Sequence, residues 1–163
     1  MSQYKLMLVD DDPYTLTGMG QNLESEGYEV TTAENGESAL DMIKKSDFDL
    51  IITDIVMDGI DGIELLKKVK EINPETKVII LTGYGDMTSA IDALRLDADD
   101  YMLKPCQTDE LNFRVASCLN KLEISRKLKL YEQILPVCCV CKKIRDDEGK
   151  EPGTGEWLPV DRY

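Results

Sequence analysis

The sequence predicts an α/β fold: an open five-stranded parallel sheet sandwiched by helices, with an extended C-terminal helix and a short cysteine-containing tail. Two observations carry this. Five short apolar runs, at residues 5–9, 29–32, 50–53, 78–81 and 101–103, alternate with segments whose apolar residues recur at helical spacing. Strands this apolar need both faces covered, which favours parallel pairing, right-handed crossovers and helices on both sides of the sheet.

The elements follow in order. After the first strand, Asp12 and Pro13 read as an N-cap with Pro in the first turn, Leu16, Met19 and Leu23 form the buried stripe, and Gly27 ends the helix. Ala39, Leu40, Met42 and Ile43 mark a second helix. A third carries Ile63, Leu66 and Val69 and is stopped by Asn73-Pro74, and a fourth carries Met87, Ala90, Ile91 and Leu94. From Thr108 a helical pattern runs past the length needed to cover one sheet face. Leu111, Val115, Leu119 and Leu122 form its first stripe, and Ile124, Leu128, Tyr131 and Leu135 form a second that is out of phase with the first. The second half is expected to leave the domain, where it either pairs with another helix, as in a homodimer, or folds back as a single helix. The division expected is a domain over 1–120, an extended helix or linker over 121–135 and a cysteine-containing tail over 136–163.

Charge and length narrow the function classes. The 163 residues include 32 acids and 19 bases, for a net charge of −13, and no segment gathers Lys and Arg into a phosphate-binding face. Direct nucleic-acid binding is disfavoured. Nothing approaches the roughly 20 apolar residues of a membrane span, and Met1-Ser2-Gln3-Tyr4-Lys5 lacks the apolar core of a signal peptide, so the expectation is a cytoplasmic chain without a membrane segment. Of the five cysteines in such a reducing compartment, Cys106 and Cys118 read as small packing residues.

In an open parallel sheet, sites form beyond the carboxyl ends of the strands. Strand one delivers Asp10, Asp11 and Asp12 there, strand three Thr53 and Asp54, strand four Thr82, and strand five Lys104 followed by Pro105. Carboxylates brought together repel unless something positive sits between them. A hard divalent cation such as Mg²⁺ suits oxygen ligands without nearby His or Cys. With a lysine and a threonine hydroxyl added, the set describes a phosphoryl site in which Asp54, isolated on its own strand, is the natural nucleophile.

Leu8-Val9-Asp10-Asp11-Asp12, Thr53-Asp54-Ile55-Val56-Met57 followed by Asp61-Gly62, Leu81-Thr82-Gly83 and Tyr101-Met102-Leu103-Lys104-Pro105 together resemble the receiver domain of two-component response regulators, a flavodoxin-like fold, over about residues 4–120. The resemblance implies a phosphorylation switch. Asp54 would take a phosphoryl group from a sensor histidine kinase or phosphotransfer protein, and Asp10, Asp11, Asp54 and the carbonyl of Val56 would hold Mg²⁺. Thr82 and Lys104 would bind phosphoryl oxygens, Lys104-Pro105 would be cis, and Tyr101 would move with Thr82 as the switch. The signalling face would be built from the 87–94 region, the fifth strand and the last helix. Where the family often has Pro after Met57, this chain has Asp58, so a looser loop is expected. Neither Val56 nor Tyr84, two residues beyond the nucleophile and the threonine, offers an amide or carboxylate to orient water, which predicts a long-lived phosphoaspartate.

The end of the chain, from Leu135 through Cys138, Cys139 and Cys141 to Trp157, resembles a cysteine motif appended to many bacterial signalling proteins. Cys138 and Cys141 have the spacing of a zinc knuckle, but two sulfurs are half of a structural site. Three readings stay open: continuation of the protein to a second cysteine pair, a metal shared by two chains, or a metal-free reduced tail. The first and third are preferred.

Two rivals are weighed against the switch. A small phosphatase of the haloacid dehalogenase type would use Asp10 as nucleophile, Asp12 as acid/base, Thr82 and Lys104 on phosphate, and Asp99 or Asp100 on the metal; it leaves Asp54 idle. An assembly module would make residues 108–163 the working part and the α/β domain its scaffold.

Overall fold

The computed structural model describes residues 4–83, 97–134, 144–146 and 156–158. The chain divides into two compact units, Met1–Leu122 and Glu123–Tyr163. In the first, five strands, β1 (Lys5–Val9), β2 (Glu29–Ala33), β3 (Leu50–Asp54), β4 (Lys77–Thr82) and β5 (Asp100–Leu103), form one parallel sheet in the order β2-β1-β3-β4-β5. The helices are α1 (Pro13–Ser25), α2 (Gly36–Ile43), α3 (Gly62–Ile72) and α4 (Thr108–Ile134). The helix expected around Met87, Ala90, Ile91 and Leu94 lies outside the described residues, as do Cys138 and Cys141.

Alternation along each strand assigns the two faces. Met7, Val9, Ile51, Val78 and Ile80 point to one side and are buried with Leu40 and Ile43 of α2 and Leu65, Leu66 and Val69 of α3. Leu6, Leu8, Leu50, Ile52, Ile79 and Leu81 point to the other and are buried with Leu16 and Leu23 of α1 and with Leu111, Val115, Leu119 and Leu122 of α4. Every residue of β3 is buried, as a central strand covered on both faces requires. The sheet of five parallel strands with helices on both sides is the fold the apolar pattern predicts.

Local chemistry sets the boundaries. Asp12 caps α1 by accepting from the Tyr14 N–H, Asn35 caps α2 from Ser38, and Asp61 caps α3 from Glu64. Gly27, with φ +93, turns the chain out of α1 in a conformation glycine tolerates best. The α3 helix ends at Ile72, just before Asn73-Pro74. Cys118 is buried in the core, which pushes its thiol pKa up to about 11, consistent with a packing role.

In the second unit, Ile144–Asp146 (β6) and Glu156–Leu158 (β7) pair antiparallel, with Arg145 opposite Trp157. Among the described residues of α4 beyond Leu122, Ile124, Leu128 and Tyr131 are exposed. No helix among the described residues is long and apolar enough to cross a membrane.

Candidate functional site

The first two central strands end side by side, because β1 pairs with β3 over Leu6–Val9 and Leu50–Thr53. Asp10 and Asp54 therefore emerge next to each other at the carboxyl edge of the sheet. Both are almost fully buried, while Asp11 is exposed. One carboxylate oxygen from each of Asp10, Asp11 and Asp54 lies within 4.8 Å of the others, a spacing that fits one shared cation.

The positive charge in this pocket comes from the chain itself. Lys104 follows β5 and its ammonium donates to Asp10 Oδ2 at 2.5 Å and to Asp54 Oδ2 at 2.9 Å. Burial works against that charge, but the hydrogen bonds to Asp10 and Asp54 outweigh it and hold the lysine pKa above its ordinary value. The Lys104-Pro105 peptide is cis. The other oxygen of Asp10, Oδ1, accepts the Asp12 N–H at 2.9 Å, so both oxygens of the Asp10 carboxylate are engaged.

Thr82 ends β4 one position past Leu81, the register partner of Asp54. It is fully buried, and its hydroxyl donates to the carbonyl of Gly83 at 3.0 Å. Val56 is exposed, and its N–H approaches Asp54 Oδ1 at 3.4 Å. Tyr101 on β5 is 39% exposed. The structure thus brings Asp10, Asp11, Asp54 and Lys104 into one pocket, sets Thr82 and Val56 at its margin, and leaves Tyr101 at the surface.

The phosphatase rival does not fit this geometry. Its acid/base, Asp12, is occupied as a helix cap, accepting from the Thr15 hydroxyl at 2.8 Å and the Tyr14 N–H at 3.0 Å, bonds that lower its pKa. Its metal residues lie elsewhere. Asp99 accepts the N–H of Val78, at the start of β4 and so toward the opposite edge of the sheet from Thr82, and Asp100 pairs with Arg114 at 2.7 Å. Side-chain type and order in the chain matched that rival; position along the strands does not.

The expectation of a looser loop after Met57 also needs correction. The segment from Ile55 to Asp61 is tied at its neck, where the Gly62 N–H donates to Ile55 O at 2.9 Å, and at its tip, where the Ile60 N–H donates to Glu37 Oε1 at 3.0 Å. Sequence reasoning missed Glu37, whose only local signal is an acid in the first turn of a helix. It also missed the network of Asp99 with Lys70 and Lys77. A cleft of about 690 Å³ opens beside the pocket, lined by Asp12, Tyr14, Met19, Lys104 and Cys106 among others.

Residues 6–116 match the sequence profile of the response regulator receiver domain. The chain belongs to that family. Over 123 residues, 76% of its length, the receiver is 37% identical to the transcriptional regulatory protein ZraR of Klebsiella oxytoca, of which the match covers 28%. It is 36% identical over 121 residues to the alkaline phosphatase synthesis transcriptional regulatory protein PhoP of Bacillus subtilis, covering 74% of this chain and 50% of that one. The chain therefore spans between about a quarter and a half of these relatives. Among solved structures, a response regulator receiver domain protein from Clostridium thermocellum superposes with a TM-score of 0.72 at 32% identity, covering 74% of this chain and 98% of that one. A CheY-like receiver domain protein from Methanospirillum hungatei superposes with a TM-score of 0.74 at 33% identity, covering 76% and 99%. This is a receiver of the two-component response regulator type.

Proposed function

We propose that the receiver takes a phosphoryl group onto Asp54 from a phosphohistidine of a sensor histidine kinase or phosphotransfer protein, in a Mg²⁺-dependent reaction, and so changes its interaction surface. The observation that carries this reading is the Lys104 ammonium bonded to both Asp10 and Asp54, with Asp11 alongside. Three carboxylates facing one ammonium keep an excess of negative charge, which a divalent cation would offset before a phosphoryl group is accepted.

In the step proposed, an Asp54 carboxylate oxygen attacks phosphorus, the new P–O bond forms as the P–N bond breaks, and the imidazole leaves with the electron pair and takes up a proton. Asp10, Asp11, Asp54 and the Val56 carbonyl would hold Mg²⁺, which supplies charge neutralisation on the phosphoryl oxygens when bound. Lys104 then turns from Asp10 toward the phosphoryl group, while Asp12 N–H keeps Asp10 in place. The Thr82 hydroxyl exchanges its bond to Gly83 for one to a phosphoryl oxygen. Because β4 and β5 are in register from Ile79–Asp100 to Thr82–Leu103, that movement is felt along β5, where Tyr101 changes its exposure. The chain is a signalling switch whose chemistry is confined to its own phosphorylation and slow dephosphorylation.

Labelling with radioactive acetyl phosphate and Mg²⁺ tests the proposal. Stable label on the wild type and none on Asp54→Asn is the expected result; label that survives Asp54→Asn and vanishes in Asp10→Asn would overturn it and return the phosphatase.

The acidic receiver is read as cytoplasmic and as making no direct nucleic-acid contact itself, its relatives being transcriptional regulators matched only over part of their length. The exposed Ile124, Leu128 and Tyr131 of α4, spaced by four and three, favour a second copy of this helix as a further partner. Sedimentation of the full chain should then give a dimer that Leu128→Lys dissociates, and a monomeric wild type refutes that pairing.

A further inference from the structure

The segment from Ile55 to Asp61 carries Val56, whose backbone stands two residues from the Asp54 carboxylate. Its neck is fixed by the backbone, through Ile55 N–H to Leu81 O at 3.0 Å and Gly62 N–H to Ile55 O at 2.9 Å. Its tip is fixed by a side chain. Glu37, in the first turn of α2, accepts the Ile60 N–H at 3.0 Å, and this is an arrangement the positive end of the helix dipole favours for a carboxylate.

Two glycines make room for this contact. A Cβ at Gly36 would lie 2.6 Å from Ile60 O, so the loop rests directly on the start of α2. A Cβ at Gly59 would lie 2.3 Å from Glu37 Oε1, and Gly59 has φ +77, a backbone conformation that glycine adopts without strain. The loop tip is thus seated against the first turn of α2 with the Glu37 carboxylate beneath it. Asp58, at the position where proline would stiffen the turn, leaves that stiffness to be supplied from outside the loop.

We propose that Glu37 is a positioning residue for the metal pocket: by clamping Ile60 it fixes the loop that presents the Val56 carbonyl beside Asp10, Asp11 and Asp54. The inference rests on the reading of those three carboxylates as the Mg²⁺ site. Without the clamp, the loop must be ordered when the cation binds, and the ordering cost appears as weaker affinity with no change in the charge of the three ligands.

The test is a Mg²⁺ titration of the full chain by calorimetry, with Glu37→Ala, Glu37→Gln and Asp11→Asn. Loss of one hydrogen bond to a charged acceptor should weaken Mg²⁺ binding about three- to tenfold in Glu37→Ala. The glutamine keeps an acceptor oxygen and should stay within about twofold of the wild type. Labelling by acetyl phosphate should fall in Glu37→Ala at low Mg²⁺ and recover when Mg²⁺ is saturating. Unchanged affinity in Glu37→Ala, or an equal loss in Glu37→Gln, overturns the clamp while leaving the pocket intact. Unchanged affinity in Asp11→Asn overturns the pocket itself.

Discussion

Lys104 and Asp54, 50 residues apart in the chain, meet at 2.9 Å across the carboxyl edge of the sheet, and the same ammonium reaches Asp10. The lysine therefore occupies, in charge terms, part of the space a divalent cation would claim. Lys104→Met removes that competitor and leaves three carboxylates unopposed. Mg²⁺ binding should tighten about five- to tenfold, while stability in chelator falls by about 1–2 kcal/mol. Calorimetry and urea unfolding, with and without Mg²⁺, measure both. Weaker Mg²⁺ binding by this variant would show that the ammonium organises the carboxylates more than it competes.

At the opposite edge of the sheet, Asp99 ties three segments together. It accepts from Lys70 Nζ at 2.8 Å, Lys77 Nζ at 3.0 Å and the Val78 N–H at 2.9 Å. Burial alone would raise its pKa, but the bonds from Lys70, Val78 and Lys77 win and hold it below the ordinary value. A carboxylate lowered on folding stabilises the protein fully above its unfolded pKa of about 3.9, and that contribution fades as pH falls through the lower folded value. Asp99→Asn should cost about 2 kcal/mol at neutral pH, and its deficit relative to the wild type should shrink toward pH ~3, as read by urea unfolding. A deficit independent of pH would assign the loss to packing.

The parts of this structure that were legible in the sequence are those set by local rules or by topology. Asp12-Pro13 and Asn73-Pro74 mark helix ends through backbone chemistry that needs no tertiary partner. Apolar residues on both faces of β3 required a covered central strand, and strand ends in a parallel sheet had to place Asp10, Asp54 and Lys104 together. Glu37 and Asp99 were not legible, because an acid on a helix start or a strand entry looks like any solvated residue until Ile60, or Lys70 and Lys77, is brought against it. The same blindness let Asp99 stand as a metal ligand in the phosphatase reading, where its place just before β5, bonded to the Val78 N–H at the start of β4, excludes it.

Dephosphorylation needs water held in line with the phosphorus, and Val56, exposed and apolar two residues beyond Asp54, provides nothing to hold it. The phosphorylated receiver should lose its label over minutes to hours. Val56→Asn, which adds an amide at that position, should shorten the half-life at least about threefold by supplying a hydrogen bond to the attacking water. A wild-type half-life of seconds would mean that another group orients the water.

Two glycine-to-alanine substitutions should have opposite effects, because the same methyl group meets different surroundings. At Gly62 it would lie 2.1 Å from the carbonyl oxygen of Asp54 and 2.9 Å from Ile55 Cα, atoms of a backbone that cannot swing aside. Gly62→Ala should destabilise the receiver by about 3 kcal/mol and displace Asp54 enough to slow its labelling. At Gly18, inside α1, a methyl meets nothing within 4 Å. Gly18→Ala should raise stability by about 0.5–1 kcal/mol through helix propensity alone. Urea unfolding and acetyl phosphate labelling of the two variants read both effects. Normal stability and labelling in Gly62→Ala would show that the start of α3 can retreat from β3 without cost, which the Gly62 N–H bond to Ile55 argues against.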